Sequence, residues 1–100
     1  MRIIWTPLGL KSLDQTTNFI EEQWNEDMAD NFLDRLDERI EQLKLNPEIA
    51  PTHEQTNYRK LMIHPLVTLF YKLETDHISL ILVWGNKQDP DELKEKLNRI

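Results

Sequence analysis

The sequence predicts an α+β domain in which an N-terminal strand and a helical hairpin pack on an antiparallel sheet, with a short helix at the C-terminus. Three observations support this class. Apolar residues recur at helical spacing between residues 13 and 43, three strand-like runs follow between residues 58 and 84, and prolines or turn residues separate the segments. A chain of 100 residues with 39% hydrophobic residues has material for one core, so residues 1–100 are expected to form a single domain.

The first two elements are a short strand and a helix. Arg2 to Trp5 is rich in β-branched and aromatic residues and stops at Thr6 and Pro7. Threonine can cap a helix and proline suits the first helical position, so a helix is predicted to begin there. Leu13, Thr17, Ile20 and Trp24 then recur at helical spacing.

A second amphipathic helix follows almost without a loop. Asn25 or Glu26 interrupts the first pattern, and Asn46 with Pro47 ends the second. Its apolar positions are Ala29, Phe32, Leu33, Leu36, Ile40 and Leu43. Two such helices with so short a connection must turn back on each other as an antiparallel hairpin.

The charge of the chain is concentrated on this hairpin. The net charge is −6, and residues 14–41 hold ten acidic side chains against Arg35 and Arg39. The two arginines are expected on the solvated face, where pairs with nearby carboxylates stabilise a helix slightly. An acidic chain is a poor candidate for a general nucleic-acid binder, because phosphate neutralisation needs clustered lysine and arginine.

The second half of the chain predicts a loop and then three strands. Residues 47–57 contain two prolines and no periodicity, which indicates a loop. The runs Tyr58 to His64, Leu66 to Leu73, and His77 to Trp84 are separated by very short connections. Short connections between strands imply an antiparallel meander.

The last strand and the C-terminal helix complete the order β-α-α-β-β-β-α. Alternation in the last strand places Ile78, Leu80, Leu82 and Trp84 in one row and Ser79, Ile81 and Val83 in the other, so we expect a central strand covered on both faces. After the strand, Asp89 and Pro90 with Glu92 form a helix-start pattern. The apolar side of that helix is Leu93, Leu97 and Ile100.

Several classes of protein are disfavoured by composition. The chain has no cysteine, which excludes disulfides and fits a reducing compartment. Pro7 interrupts the N-terminal apolar run too early for a signal peptide, and the longest apolar run is far below the roughly 20 residues that span a bilayer. A cytoplasmic protein without a membrane partner is therefore expected.

Metal and serine-nucleophile sites also find no sequence support. His53, His64 and His77 come from different elements without ligand spacing, so no metal site is expected. Ser12 and Ser79 lack the elbow or partner motif of a catalytic serine.

Basic residues of the strand region are the remaining candidates. Arg59 shares a strand face with the apolar Leu61 and Ile63, and is as well suited to a structural anchor as to a functional cation. A turn explains Gly85, Asp89 and Pro90 without any function, but it does not explain Lys87 and Gln88.

The order of motifs resembles the RelE/ParE superfamily of toxins from bacterial type II toxin–antitoxin systems. Phe32 to Leu36, with the apolar positions up to Asn46-Pro47, is similar to the hairpin motif of the superfamily. Tyr58 to Leu61, Leu69 to Leu73, and Asn86 to Pro90 resemble its strand and terminal motifs. The similarity covers almost the whole chain in order, and the combination is more specific than any single motif.

The resemblance implies one of two mechanisms. RelE-like members cleave mRNA on the ribosome with basic residues, whereas ParE-like members poison DNA gyrase and have no known catalytic site. The arginine that RelE-type nucleases carry three residues before the strand tyrosine falls here on Thr68, and no Tyr or His follows Lys87. A ParE-like inhibitor of DNA gyrase, without a cofactor and not itself an enzyme, is therefore favoured over an mRNA endoribonuclease and over an inactivated antitoxin-binding module.

The resemblance also implies a cognate antitoxin as a partner. Such a partner is expected to lie on the apolar surface of the hairpin and sheet as an amphipathic helix or an extended segment. The antitoxin-contacting residues stay open. Lys87, Gln88 and Tyr71 are predicted to contact the target, and Lys87 and Arg59 are the candidate catalytic cations if the chain is a nuclease.

Overall fold

The computed structural model describes residues 1–99 and confirms the α+β class and the predicted element order. The elements are β1 (Arg2–Trp5), α1 (Pro7–Gln23), α2 (Glu26–Leu45), β2 (Tyr58–His64), β3 (Val67–Leu73), β4 (His77–Gly85) and α3 (Pro90–Asn98).

The strands form one mixed sheet in the order β1-β4-β3-β2. Strands β2, β3 and β4 make the predicted antiparallel meander, while β1 joins the other side of β4 in parallel. The hairpin of α1 and α2 covers one face of this sheet, which we call the hairpin face. Helix α3 packs on part of the opposite face, which we call the back face.

Beyond the end of β1, the cap and first turns of α1 form hydrogen bonds with the backbone of β4. The backbone N–H and the hydroxyl of Thr6 both donate to the Leu80 carbonyl, at 3.1 and 3.0 Å, and the same hydroxyl caps α1 by accepting from the Gly9 N–H. One turn later the buried Ser12 hydroxyl accepts from the Val83 N–H at 2.9 Å. A Cβ on Gly9 would lie 2.3 Å from the Leu80 carbonyl, so only glycine allows this close approach.

A β-bulge in β4 makes the predicted assignment of faces wrong. Tyr71 pairs with Leu80 and Phe70 pairs with Leu82, which leaves Ile81 as the extra residue. The alternation changes phase at this point. Ile78, Leu80 and Val83 therefore lie in the core under the hairpin, whereas Ile81, Leu82 and Trp84 lie in the cluster on the back face. The expectation of a strand covered on both faces is confirmed.

Two arginines of α2 contact the edge strand rather than neighbouring carboxylates. The Arg35 Nε donates to the Ile63 carbonyl, and the Arg39 Nε donates to the Met62 carbonyl at 3.1 Å. Both carbonyls lie where the pairing of β2 with β3 shifts register. Arg35 is exposed and Arg39 is partly exposed, but the predicted pairing with helix carboxylates was wrong, because an outer strand with free carbonyls lies within reach of α2.

The C-terminal helix begins and packs as predicted. The Asp89 carboxylate accepts from the Asp91 N–H at 2.9 Å and caps α3. Leu93 and Leu97 pack against the back-face cluster that contains Trp84. The predicted apolar position Ile100 lies outside the described residues.

Candidate functional site

A wide groove lies between the helical hairpin and the end of the sheet where β3 begins and β4 ends. Its volume is about 1180 Å³. Helix α1 forms one wall, the first turns of α2 continue it, and the strand ends with the turn after β4 form the other wall. We call this space the hairpin groove.

The α1 wall of the hairpin groove is a stripe at helical spacing. Its members are Leu8, Lys11, Ser12, Gln15, Thr16, Phe19, Ile20 and Gln23. None of them is acidic, although α1 also carries Asp14, Glu21 and Glu22 on its other sides. The wall of the groove thus differs in character from the acidic surface of the hairpin.

Exposed apolar side chains cluster at the tip of the hairpin. Phe19, Trp24 and Met28 all line the groove and are 56%, 53% and 42% exposed. The rings of Phe19 and Trp24 meet edge to face, with centroids 6.3 Å apart. Contiguous exposed apolar patches are a common feature of surfaces that bind partners, and these three side chains are the exposed apolar residues of the groove.

Lys87 and Gln88 line the opposite wall of the same groove. Both are exposed, and the turn that carries them is held by Gln88 N–H donating to the Gly85 carbonyl at 3.0 Å. Within residues 1–99, Lys87 has no carboxylate within 4.0 Å. These two side chains are therefore available to a partner.

Asn86 fixes this turn, a role that the sequence did not reveal. Its side-chain oxygen accepts from the Thr68 hydroxyl at 2.8 Å, and its amide nitrogen donates to the Pro65 carbonyl at 3.1 Å. Its backbone N–H donates to the Leu66 carbonyl at 2.8 Å. The only hint in the sequence is an asparagine beside a glycine at the end of a strand, which is a common turn pattern.

Arg59 and Tyr71 lie at the opposite end of the sheet, paired across β2 and β3. The Arg59 guanidinium donates to the Ala50 carbonyl at 2.7 Å, and the Tyr71 hydroxyl donates to the Pro47 carbonyl at 2.8 Å. Tyr71 is 0% exposed. In this conformation Tyr71 offers no surface to a target, and both side chains fasten the loop that precedes β2.

The environment of Tyr71 also changes its titration. Burial raises the pKa of the Tyr71 hydroxyl above its usual value of 10.0, while a backbone contact with Ala50 and the charge of Arg59 act in the opposite direction. The neutral phenol is thus favoured in the folded protein, which suits a hydroxyl that donates to a carbonyl.

A family model described as the ParE toxin of the type II toxin-antitoxin system, parDE, matches residues 3–90. The chain belongs to the ParE toxin family. The parDE system implies a cognate ParD antitoxin as the partner of this ParE-family chain. A search of curated proteins found no significant match.

A solved structure shares the fold of this ParE-family chain. A chain of the structure titled "Chromosomal ParDE TA system from P. aeruginosa" superposes with a TM-score of 0.63 at 15% sequence identity. The alignment covers 85% of this chain and 95% of that chain. At this identity the similarity establishes the fold.

A hydrogen-bonded Asp–His–Ser chain lies at the start of β4 in this ParE-family protein. Asp76 Oδ1 is 2.7 Å from His77 Nδ1, and His77 Nε2 is 3.0 Å from the Ser79 hydroxyl. The bond with His77 lowers the pKa of the Asp76 carboxyl, and Arg2 lies 3.6 Å from the same carboxyl. Ser79 is only 8% exposed, and Arg2 is the member of this contact network that comes from β1, so the arrangement links β1 to the start of β4.

The remaining histidines have structural contacts of their own. His53 packs edge to face on Phe70 at 5.2 Å, and His64 accepts from the Leu66 N–H at 3.1 Å. Among residues 1–99 no group of three His, Cys, Asp or Glu side chains is arranged to hold a metal ion. In the same range, no helix is both long and apolar enough to cross a membrane.

Proposed function

We propose that this chain is a ParE-like toxin that inhibits DNA gyrase in the cytoplasm and is neutralised by its cognate ParD antitoxin. It acts by binding, as a stoichiometric inhibitor without a cofactor, and residues 1–100 form the single domain that does so. Lys87 and Gln88 contact the target.

The observation that carries this proposal is the exposure of Lys87 and Gln88 on a turn that is fixed beneath them. Asn86 holds the turn with three hydrogen bonds, so Lys87 and Gln88 are exposed on a fixed backbone, with the Gln88 side chain lying against Gly85. A cation that has no carboxylate partner of its own loses little when it binds an acidic group on another protein.

The arrangement gives little support to mRNA cleavage. Attack by a 2′-hydroxyl develops negative charge on the phosphate, and each missing donor removes about 10²–10³ of rate. Thr68 stands where the nuclease arginine is expected, and its hydroxyl is engaged by Asn86. Tyr71 is buried, and Arg59 is bonded to the Ala50 carbonyl at the far end of the sheet. Of the cations that the resemblance assigns to the nuclease, Lys87 would be left as the single one.

The test is the supercoiling of relaxed plasmid by purified gyrase in the presence of the purified chain. We expect inhibition by the unmodified protein. Lys87→Ala should require a concentration at least about fivefold higher, since the loss of a central charged contact costs about 1–3 kcal/mol of binding. Lys60→Ala is the matched control, because Lys60 is exposed and lies outside the hairpin groove.

Other outcomes would reassign the function. Unchanged supercoiling together with mRNA cleavage in translating ribosomes would favour the endoribonuclease. Neither activity, with antitoxin binding retained, would favour an inactivated antitoxin-binding module. Loss of solubility in Lys87→Ala would mean that this turn is structural.

A further inference from the structure

A second, smaller cavity lies at the outer edge of β2, the last strand of the sheet. Arg39 of α2, residues 49–51 of the loop, residues 60–62 of β2 and Thr68 of β3 form its lining, and none of these residues lines the hairpin groove. Its volume is about 400 Å³, within the roughly 300–1,000 Å³ that is usual for ligand sites. We call it the edge cavity.

The backbone of β2 is already occupied on either side of one free pair of groups. The Lys60 N–H donates to the Pro51 carbonyl at 3.0 Å, and the Met62 carbonyl accepts from the Arg39 Nε at 3.1 Å. Both residues therefore direct their backbone groups away from β3, because the N–H and the C=O of one strand residue point to the same side. The Lys60 carbonyl and the Met62 N–H also point outward, and no other segment of residues 1–99 bonds to them.

This free pair matches one residue of a parallel strand. In parallel pairing, a single residue donates from its N–H to one carbonyl and accepts at its own carbonyl from the N–H two residues further on. The Lys60 carbonyl and the Met62 N–H have this spacing. A longer strand cannot continue along β2 in either direction, because the next groups are taken by Pro51 and Arg39. The edge thus accepts one residue and not a full strand.

Two cations line the edge cavity without an acidic neighbour. Arg39 is held by its Nε at the Met62 carbonyl and by its Nη1 at the Gln42 side chain, at 3.1 and 2.6 Å. Its Nη2 has no hydrogen-bond partner within residues 1–99. In the same range neither Arg39 nor Lys60 has a carboxylate within 4.0 Å, and no acidic residue lines the cavity. An anion beside the Met62 N–H would therefore meet a free guanidinium donor.

The rest of the lining is apolar, and the loop that supplies part of it is anchored. Ile49 and Met62 are 40% and 57% exposed and offer contact area to an apolar side chain. The hydrogen bonds of Arg59 and Tyr71 to loop carbonyls hold the segment that carries Ile49. The cavity is thus formed before a ligand binds, and little further ordering of the loop is needed.

We propose that the edge cavity binds the C-terminal residue of a polypeptide that ends in an apolar amino acid. The N–H of that residue donates to the Lys60 carbonyl, and its α-carboxylate accepts from the Met62 N–H and from the Arg39 guanidinium. The Lys60 ammonium adds a second positive charge, and the apolar side chain packs against Ile49. A terminal carboxylate fits better than an internal carbonyl, because it carries the negative charge that the cations lack and has no following residue.

Other occupants use fewer of these groups. An internal strand would need backbone groups of β2 that Pro51 and Arg39 already occupy. A nucleic-acid phosphate would satisfy the two cations, but it has no N–H for the Lys60 carbonyl and no apolar group for Ile49. The combination of one donor, one anion and one apolar side chain belongs to the end of a polypeptide.

The first experiment is an NMR titration of the full chain, isotopically labelled at its methionine methyl groups. The chain has three methionines, and among them only Met62 lines the edge cavity, whereas Met28 lines the hairpin groove. Three short acetylated peptides all end in Leu-Leu. One has a free α-carboxylate, one has an amidated terminus, and one has a free carboxylate but an N-methylated last residue.

The free acid should shift the methyl signal of Met62 and leave that of Met28 unchanged. We expect the amidated peptide to bind at least about tenfold more weakly, because the hydrogen bond of a charged carboxylate is lost. The N-methylated peptide should bind about threefold or more weakly, since a neutral hydrogen bond contributes less. The preference for the free acid should fall as salt is raised.

Variants locate the effect. R39Q/K60Q should bind the free acid and the amide equally. The matched control K11Q/K94Q also removes two positive charges, neither of which lines the edge cavity, and should keep the full preference. Because Arg39 also bonds to β2, K60Q is measured alone as well. This exposed side chain has no ion-pair partner within residues 1–99, so K60Q should fold normally in circular dichroism and lower the preference about threefold.

Several results would overturn this inference. Equal binding of the acid and the amide, or no binding by any peptide, would exclude the capture of a carboxylate. Binding without a shift of the Met62 signal would place the site elsewhere. Acetyl-leucine should bind about threefold more weakly than the free-acid peptide, whose preceding leucine adds apolar contact with the loop. Equal binding of the two would assign the cavity to a small acylated amino acid instead. None of these results bears on the gyrase proposal, which rests on Lys87 and Gln88 in the hairpin groove.

Discussion

The two ends of the sheet differ in whether their polar side chains are hydrogen-bonded within the chain or exposed to solvent. At the loop end, where residues 47–57 meet the start of β2, Arg59 and Tyr71 each donate to a loop carbonyl. At the turn end, where β4 finishes, Lys87 and Gln88 are exposed above a turn that Asn86 holds. Two side chains, Arg59 and Tyr71, anchor the loop end, and one, Asn86, anchors the turn end.

The difference lies in which groups are satisfied inside the chain. A buried polar group that has its hydrogen-bond partner stabilises the fold and has no capacity left for a ligand. An exposed cation without a partner contributes little to stability and can bind another molecule. The loop end is therefore expected to determine stability, and the turn end to determine binding.

The largest expected effect is the removal of the Tyr71 side chain. Tyr71→Ala deletes a fully buried aromatic ring and should lower the free energy of unfolding by about 3–5 kcal/mol. Urea denaturation followed by circular dichroism measures it. A loss below about 1 kcal/mol would mean that the loop end does not stabilise the fold, and that Tyr71 is free for the target-binding role.

Arg59 gives a smaller effect at the same end. Arg59→Ala leaves the Ala50 carbonyl without its donor and should cost about 1–3 kcal/mol, because the lost hydrogen bond involves a charged group. Thermal unfolding of this variant should be compared with that of Lys60→Ala, the exposed neighbour on β2. Equal melting temperatures for the two variants would contradict an anchoring role for Arg59.

The Tyr71→Phe variant separates the contribution of the hydroxyl to stability from that of the aromatic ring. It should cost about 1–2 kcal/mol near neutral pH, because the hydrogen bond to the Pro47 carbonyl is lost. The pKa of Tyr71 is raised above 10.0 in the folded protein. The hydroxyl therefore makes its full contribution to the free energy of unfolding below pH 10. Above that pH the contribution declines, because Tyr71 ionises at a lower pH in the unfolded chain than in the folded one. Urea denaturation of the unmodified chain and of Tyr71→Phe between about pH 8 and about pH 11 should show the difference in their free energies of unfolding becoming smaller as the pH rises. A constant gap would mean that the pKa of Tyr71 is not raised.

Local signals explain why the element order was predictable. Thr6 and Asp89 both cap helices as expected, because a cap depends on residues within one turn. The amphipathic hairpin follows from helical spacing, and the meander follows from short connections. Exposure of Lys87 and Gln88 was predictable for the same reason, since both lie on a tight turn.

Features decided by distant contacts were not predictable. The bulge at Ile81 is defined by the pairing of β4 with β3. It places Leu82 on the back face, opposite to the face that simple alternation from Leu80 predicts. Tyr71 is adjacent to the buried Phe70, and nothing nearby in the sequence indicates that its hydroxyl bonds a carbonyl 24 residues away. The hairpin groove likewise joins Lys11 to Lys87 and Lys96 only after folding.

The smallest expected effects on stability are at the turn end. They test most directly whether exposed and anchoring side chains of one turn contribute differently to stability. Lys87→Ala and Gln88→Ala remove exposed side chains and should change the free energy of unfolding by no more than about 0.5 kcal/mol. Asn86→Ala, one residue earlier, removes the side-chain bonds to Thr68 and Pro65 and should cost about 1 kcal/mol or more. Urea denaturation of the three variants under one set of conditions compares them directly. If Lys87→Ala destabilises the chain as much as Asn86→Ala does, the lysine belongs to the anchor, and a loss of gyrase inhibition in that variant would report damage to the turn.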